Sequence, residues 1–402
     1  MSLDVVQTLS DLVRIPSVNP MSRKVSGEIY YEEKVTAYLQ ALFTDRGLPW
    51  ERFTVAPQRD NIIARVDGSR SPDKGGPLIL LEAHQDTVPV DGMTIDPFDP
   101  QIRLGKLYGR GACDIKGGMA AMLAAVARLA EERPRKRPTV VIACTVNEEH
   151  GFTGATHLAD AFTGKLAGEA RSKLLPRPPD AAIVAEPTRL NVVVAHKGAV
   201  RWRCHTQGVA AHSSQPHLGD NAFYHMARVL PVLEQYARDV VPHLNTHPLV
   251  GHPTLSVGLI WGGVSVNTVP DKCTIEIDRR VLPGDEPDAA YAHAVEYVNS
   301  YVRTGTPVVH DPPFMTTRGL SETGSAELAD QLQAVVREQG GPGEQIGVSF
   351  GTNAPHYAAT GCPTVVFGPG SIDQAHTADE WIDLDQLQSA AEILYQFLRR
   401  AG

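Results

Sequence analysis

Four short, almost uninterrupted apolar runs constrain this chain more than any other feature: LILL at 78–81, TVVIACT at 139–145, AAIVA at 181–185 and TVVF at 364–367. Each has the length of a strand, and a strand apolar on both faces needs a covering layer on each side. Longer helical patterns lie between and around them, at 32–46, 117–132, 325–339 and 384–399. That order predicts an α/β fold with a mostly parallel sheet flanked by helices. From about 191 to 311 the strands become longer and more alternating (AVRWRCHTQG, TLSVGLIWGG, KCTIEIDRRVLPG), with helical patterns at 221–240 and 288–304. A smaller α+β sandwich inserted into the larger domain is expected there. A chain of 402 residues exceeds what one core usually organises. The expected division is 1–190 with 312–402, and 191–311. The Pro-rich segment 171–180 (RSKLLPRPPD) reads as a loop.

Charge and cysteine content narrow the function classes. Lys and Arg number 37 against 46 Asp and Glu, a net charge of −9 that is a poor footprint for a binder of phosphate backbones. Nucleic acid is therefore not the expected partner. The five cysteines are an odd number, widely spaced and without a C-x-x-C pair, against both a disulfide framework and a thiolate zinc site. The N-terminal MSLDVVQTLSDLVRIPSV reads as a first helix rather than a signal peptide. The Ala-rich stretch from Met119 is too short to span a bilayer. A soluble cytoplasmic protein is expected, with no membrane partner.

In open α/β sheets ligands bind beyond the carboxyl ends of the strands, so the residues just past each apolar run are the ones to weigh. After LILL comes EAHQDTVP, with His84 and Asp86; after TVVIACT comes VNEEHG, with Glu148 and Glu149. AAIVA leads to Glu186, and TVVF to GPGSIDQAH, ending in His376. Between the first two runs, LYGRGACDIKGG places Asp114 just before a long helix. Taken singly, these are a surface pair, a solvated face, a turn residue, a loop histidine and a helix N-cap. Together, four successive strand ends and the helix between them carry imidazole or carboxylate, and that points to one shared site.

Two imidazoles and several carboxylates without thiolate suit zinc, with cobalt or manganese as alternatives. Five ligands with one bridging carboxylate would hold two divalent ions about 3.5–4 Å apart. Such a pair lowers the pKa of bound water and polarises a carbonyl. Hydrolysis also needs a proton carrier that the metals do not consume. The double glutamate supplies one residue of each kind.

These residues resemble the co-catalytic di-zinc amidohydrolases that include acetylornithine deacetylase, succinyl-diaminopimelate desuccinylase, aminoacylase and glutamate carboxypeptidase. The segments HQDTVPV, YGRGACDIKGG, NEEHG, AEPT, AAHSS, NTVPDKC, DRRVLPG and GPGSIDQAHTADE fall in that family's order over nearly the whole chain, and GPGS-x-x-QAH is most similar to acetylornithine deacetylase-type members. The resemblance implies that His84 binds one metal and His376 the other, with Asp114 bridging, Glu186 completing the first site and Glu149 the second. Asp86 would orient the His84 ring. Glu148 would take a proton from the attacking water and pass it to the leaving amine. The inserted domain matches the family's lid and dimerisation domain, which implies a homodimer. There His212 would reach the neighbouring subunit's site and stabilise the oxyanion. Asn267 and Arg280 match substrate-contacting positions, Arg280 as a carboxylate fork, with Arg279 on the opposite face of the strand.

The implied activity is hydrolysis of the C–N amide bond of an N-acyl amino acid or short peptide. Dipeptidase or carboxypeptidase activity of the same family is the nearest alternative. Two readings come from other classes. GVSFG at 347–351 matches a G-x-S-x-G nucleophile elbow, with Ser349, Asp373 and His376 in serine-hydrolase order. A non-catalytic metal-binding protein on the same fold is the other, though it has no need of a free glutamate beside its metals. GRGACD departs from a dinucleotide fingerprint because Asp114 stands at the third glycine.

Overall fold

In-register pairing of parallel strands organises the larger part of the chain, seen here in a computed structural model describing residues 3–166, 172–305 and 307–402. Arg171, at the head of the Pro-rich segment, lies outside the described residues, as do the first two residues of the N-terminal segment and Thr306. The chain divides into two compact units. The first comprises 1–194, 322–346 and 352–402; the second comprises 195–321 with 347–351.

The largest sheet, most of it in the first unit, runs in the order Trp50–Ala56, Arg59–Val66, Thr139–Thr145, Leu78–His84, Ala181–Val184, Thr364–Val366, Val192–His196, Gln345–Val348. The four apolar runs are its middle, parallel to one another. Their full burial comes from cover on both faces. Ile79, Leu81, Val140 and Ile142 join one core cluster with residues of the Lys116–Glu132 and Leu384–Arg400 helices. Leu78, Leu80, Val141 and Ala143 are equally buried but alternate to the other face. The Thr153–Thr163 helix belongs to the unit as well, with Phe162 stacked on Tyr357 of the Ala354–Ala358 helix.

The flanks depart from a parallel sheet. Trp50–Ala56 and Arg59–Val66 form an antiparallel hairpin, and Arg59–Val66 pairs antiparallel with Thr139–Thr145. Val192–His196 is antiparallel to Thr364–Val366. A connection as short as Pro57–Gln58 allows only antiparallel pairing. The polar residues of WERFTVA and RDNIIARV hide these strands from a search for apolar runs.

The second unit is an antiparallel sheet in the order Thr254–Gly262, Lys272–Val281, Gly198–Gln207, Val308–His310, with Met315–Thr317 also paired to Gly198–Gln207. Trp202, Cys204, Cys273, Ile275 and Ile277 alternate onto one face and form a core with Met226, Val229, Leu233, Ala294 and Val298 of the Ala222–Gln235 and Pro287–Tyr301 helices. The helix expected over 221–240 is regular only to Gln235. Five residues of π-helix, Tyr236–Val240, come after it.

Candidate metal centre

His84 ends its strand opposite Thr145, so both strands release their chains at one level of the sheet. Beyond Thr145, Asn147 adopts a left-handed φ of 60° and starts a single helical turn, Glu148–Gly151. Glu186 lies two residues beyond the end of the neighbouring strand, Ala181–Val184. Asp114 precedes the Lys116–Glu132 helix but does not cap it: the N-cap is Ile115, which makes no side-chain cap bond. The Asp114 carboxylate turns to the site instead. Its Oδ1 lies 3.2 Å from His84 Nε2 and its Oδ2 3.2 Å from His376 Nε2. His376 Nε2 is also 3.3 Å from Glu149 Oε2.

Two donor groups result, His84–Asp114–Glu186 and Asp114–Glu149–His376. In each, one ligand atom per residue lies within 4.8 Å of the others, and Asp114 belongs to both. Glu148 is buried beside them.

The electrostatics follow from how closely these groups are packed. Burial, with the neighbouring carboxylates adding to it, pushes Glu148 and Glu186 well above the usual carboxylate range. Glu149 is raised to about 7 by burial and by Asp114. Burial works against charge on His84 and His376, but hydrogen bonds to Asp114, and to Asp86 or Glu149, outweigh it. His84 is raised well above an ordinary imidazole and His376 to about 11. Burial would raise Asp114 too, and the hydrogen bonds from both imidazoles hold it below the usual range. Among the described residues no lysine or arginine forms an ion pair with these carboxylates, and Glu149 Oε1 is buried without a hydrogen-bond partner. The pocket is thus built of closely packed oxygen and nitrogen donors. Divalent cations fit that donor set.

Asp86 stands one step behind. The His84 Nδ1–H donates to the Asp86 main-chain carbonyl at 2.9 Å, which leaves Nε2 toward Asp114; the Asp86 carboxylate is farther off, at 3.6 Å. That carboxylate accepts from the backbone N–H of Glu148 (Oδ1, 3.1 Å) and of Glu149 (Oδ2, 3.1 Å), fixing the turn that carries both. Asn19 Nδ2 donates to Asp86 Oδ2 at 2.8 Å, and Asn19 Oδ1 accepts from Arg59, which is ion-paired at 2.6 Å with the fully buried Glu32. Sequence reasoning misses Asn19, Glu32 and Arg59, because nothing local marks them. It also passes over Glu380, four residues beyond His376 at the end of GPGSIDQAHTADE.

The second unit holds the remaining candidates. His212 is exposed in a loop; its Nδ1 accepts from the Ser214 N–H at 3.1 Å, which places the ring proton on Nε2. Asn267 is exposed, and its Oδ1 accepts from Ser265 Oγ. Arg280 donates from Nε to Asp278 Oδ1 at 2.7 Å, and Asp278 Oδ2 accepts from Arg201 at 2.6 Å. Arg279 faces the opposite way and is buried, with Nη1 bonded to the carbonyls of Thr254 and Arg280.

The serine-hydrolase constellation does not form around His376. Asp373 pairs with Arg189 and Ser371, while His376 directs Nε2 to Asp114 and Glu149. Ser349 lies on a bend after Gln345–Val348, with no helix starting before Ala354, unlike a nucleophile elbow.

Known proteins resemble this chain in sequence and in fold. The profile of Peptidase family M20/M25/M40 matches residues 80–400. An acetylornithine deacetylase of Myxococcus xanthus is 32% identical over 345 residues, 84% of this chain and 83% of the relative. Human carnosine dipeptidase 1 has the same fold, with a TM-score of 0.77 at 16% identity, covering 99% of this chain and 96% of that one. A dinuclear metal-binding M20 peptidase of Bacillus subtilis gives 0.64 at 16% identity, over 98% of this chain and 97% of its own. The chain belongs to peptidase family M20, a family of metal-dependent peptidases and amidohydrolases.

Proposed function

We propose that this enzyme hydrolyses the amide bond of an N-acyl amino acid, with N-acetylornithine the first candidate substrate. The observation that carries the reading is Glu148: a buried carboxylate beside two donor groups that share Asp114, yet outside both. His84, Asp114 and Glu186 would hold one divalent ion, and Asp114, Glu149 and His376 the other. Zinc is the first expectation, with cobalt or manganese as substitutes. When bound, the ions would polarise the scissile carbonyl and acidify water at the site.

The chain's own groups do the rest. Glu148 accepts a proton from the attacking water and delivers it to the nitrogen as the C–N bond breaks, leaving a carboxylate and a free amine. The upward shift that burial gives Glu148 supports that carrier role. Asp86 holds Glu148 in place through its backbone N–H. His212 donates from Nε2 to the oxyanion in the neighbouring subunit's site, a role supported by its tautomer. Arg280 takes the substrate carboxylate and Asn267 contacts the substrate. Residues 191–311 act as the lid and, through it, the homodimer forms. The edge position of Thr254–Gly262, with Leu259, Ile260 and Trp261 exposed, supports that interface. Among the described residues no helix is long and apolar enough to cross a membrane. The five cysteines are free and buried, which supports a cytoplasmic setting.

The test is a substrate panel on zinc- and cobalt-loaded enzyme: N-acetylornithine, N-succinyl-diaminopimelate, N-acetylmethionine, a dipeptide and a peptide ending in glutamate. Turnover of an N-acyl amino acid, lost on chelation and indifferent to serine-directed phosphonates, is expected. Exclusive cleavage of the peptides would move the assignment to dipeptidase or carboxypeptidase. Activity that survives chelation would overturn the metal reading.

A further inference from the structure

We propose that Glu380 is a positioning residue that ties the Asp114 segment to the His376 loop, and so sets how tightly the second metal ion is held. The inference rests on the metal assignment above. Glu380 is completely buried, and both carboxylate oxygens are engaged. Its Oε1 accepts from the backbone N–H of Cys113 at 2.9 Å and of Asp114 at 3.0 Å. Its Oε2 accepts from the Gly111 N–H at 3.0 Å and from Arg110 Nη1 at 2.6 Å.

Arg110 extends the tie. Its Nη2 donates to the carbonyls of Pro89 at 3.1 Å and Thr377, the residue after His376, at 3.4 Å. The Gly109 N–H donates to the Glu380 carbonyl at 3.0 Å. One acceptor-only group therefore gathers the backbone that carries the shared ligand Asp114, and it sits on the same segment as His376. Since Ile115 caps its helix without a side-chain bond, Glu380 is what satisfies the donors just before that helix.

The chemistry needs a carboxylate at this place. Its two oxygens accept from all four donors. A glutamine would turn an NH₂ toward either the Arg110 and Gly111 donors or the Cys113 and Asp114 donors, and push the loop away. The displacement acts on Asp114 and His376 together, two of the three donors of the second group. The first group keeps His84 and Glu186 on their own strands, so it should be disturbed less. Groups that orient metal ligands typically change affinity about 10–100-fold when altered.

The experiment compares metal-free wild type, Glu380→Gln and Arg110→Lys, each titrated with cobalt(II) by calorimetry and visible absorption, with thermal unfolding of the metal-free proteins alongside. Wild type is expected to take two ions per chain. Glu380→Gln should weaken the second by about 10–100-fold, with an altered cobalt spectrum, while the first shifts far less. Arg110→Lys keeps the carboxylate and its backbone donors, and should weaken the second ion by a smaller factor. It carries the test if Glu380→Gln does not fold. A role in stability alone would lower the unfolding temperature and leave both cobalt constants as in wild type; that result overturns the proposal while the metal assignment stands. Fewer than two ions bound by wild type would overturn the metal assignment, and this proposal with it.

Discussion

His356 provides a stability test that is independent of the metals. It lies on the Ala354–Ala358 helix, with its Nδ1 3.1 Å from Thr156 Oγ1, its Nε2 buried without a partner and the Phe152 ring 5.7 Å away. Burial pushes its pKa down from 6.5 to about 4. The folded state therefore resists the proton that the unfolded chain accepts. Stability from this residue is intact above pH 6.5 and is lost as the pH falls toward 4, because the unfolded state binds more protons in that window. The difference of two and a half units corresponds to about 3 kcal/mol in full, of which about 2 kcal/mol is gone by pH 5. His356→Gln keeps a polar group near Thr156 and removes the titration. Urea unfolding of metal-free wild type and variant at pH 7.5 and pH 5 should show the variant losing about 2 kcal/mol less. An NMR titration should find the wild-type ring neutral well below pH 6. Identical pH dependence in the two proteins, or a ring that titrates near 6.5, would refute the reasoning.

The two adjacent arginines should separate cleanly. Arg280→Ala is expected to raise KM about tenfold or more with kcat little changed, the signature of a lost ground-state contact to a charged group. Arg279→Ala should instead cost on the order of 2 kcal/mol in unfolding experiments, since it empties a buried site and removes two hydrogen bonds to backbone carbonyls. The reverse pattern would reassign the carboxylate fork. At Gly154 an added Cβ would come within 2.4 Å of the Val146 carbonyl and 2.7 Å of Asn61 Oδ1. Gly154→Ala should destabilise by about 1–3 kcal/mol in thermal unfolding, and lower kcat as well, because Val146 leads directly into Asn147 and Glu148.

The ligand residues were legible because of the strands that carry them. Fully apolar runs become buried parallel strands, in-register pairing levels their ends, and His84, Glu148, Glu149 and Glu186 lie at or within a few residues of those ends. Alternation likewise divides Arg279 from Arg280. The supporting groups have no such mark. Asn19 reaches Asp86 across 67 residues, and Glu380 reaches Asp114 across 266. Hydrogen bonds of that span leave no period or local motif in the chain. The flanking strands escaped for a different reason: Trp50–Ala56 is a sheet edge, where charge is tolerated, and Arg59–Val66 spends Arg59 and Asn61 on buried partners, Glu32 and the Val146 N–H, so neither has the apolar signature of the middle.

The most direct test of the whole account is to measure metal content and turnover on one sample of Glu148→Gln. Two divalent ions per chain, as in wild type, are expected, with kcat for the best N-acyl substrate reduced by about 10²–10⁴. Full metal content with near wild-type turnover would contradict the account, because Glu148 could not then be the group that carries the proton.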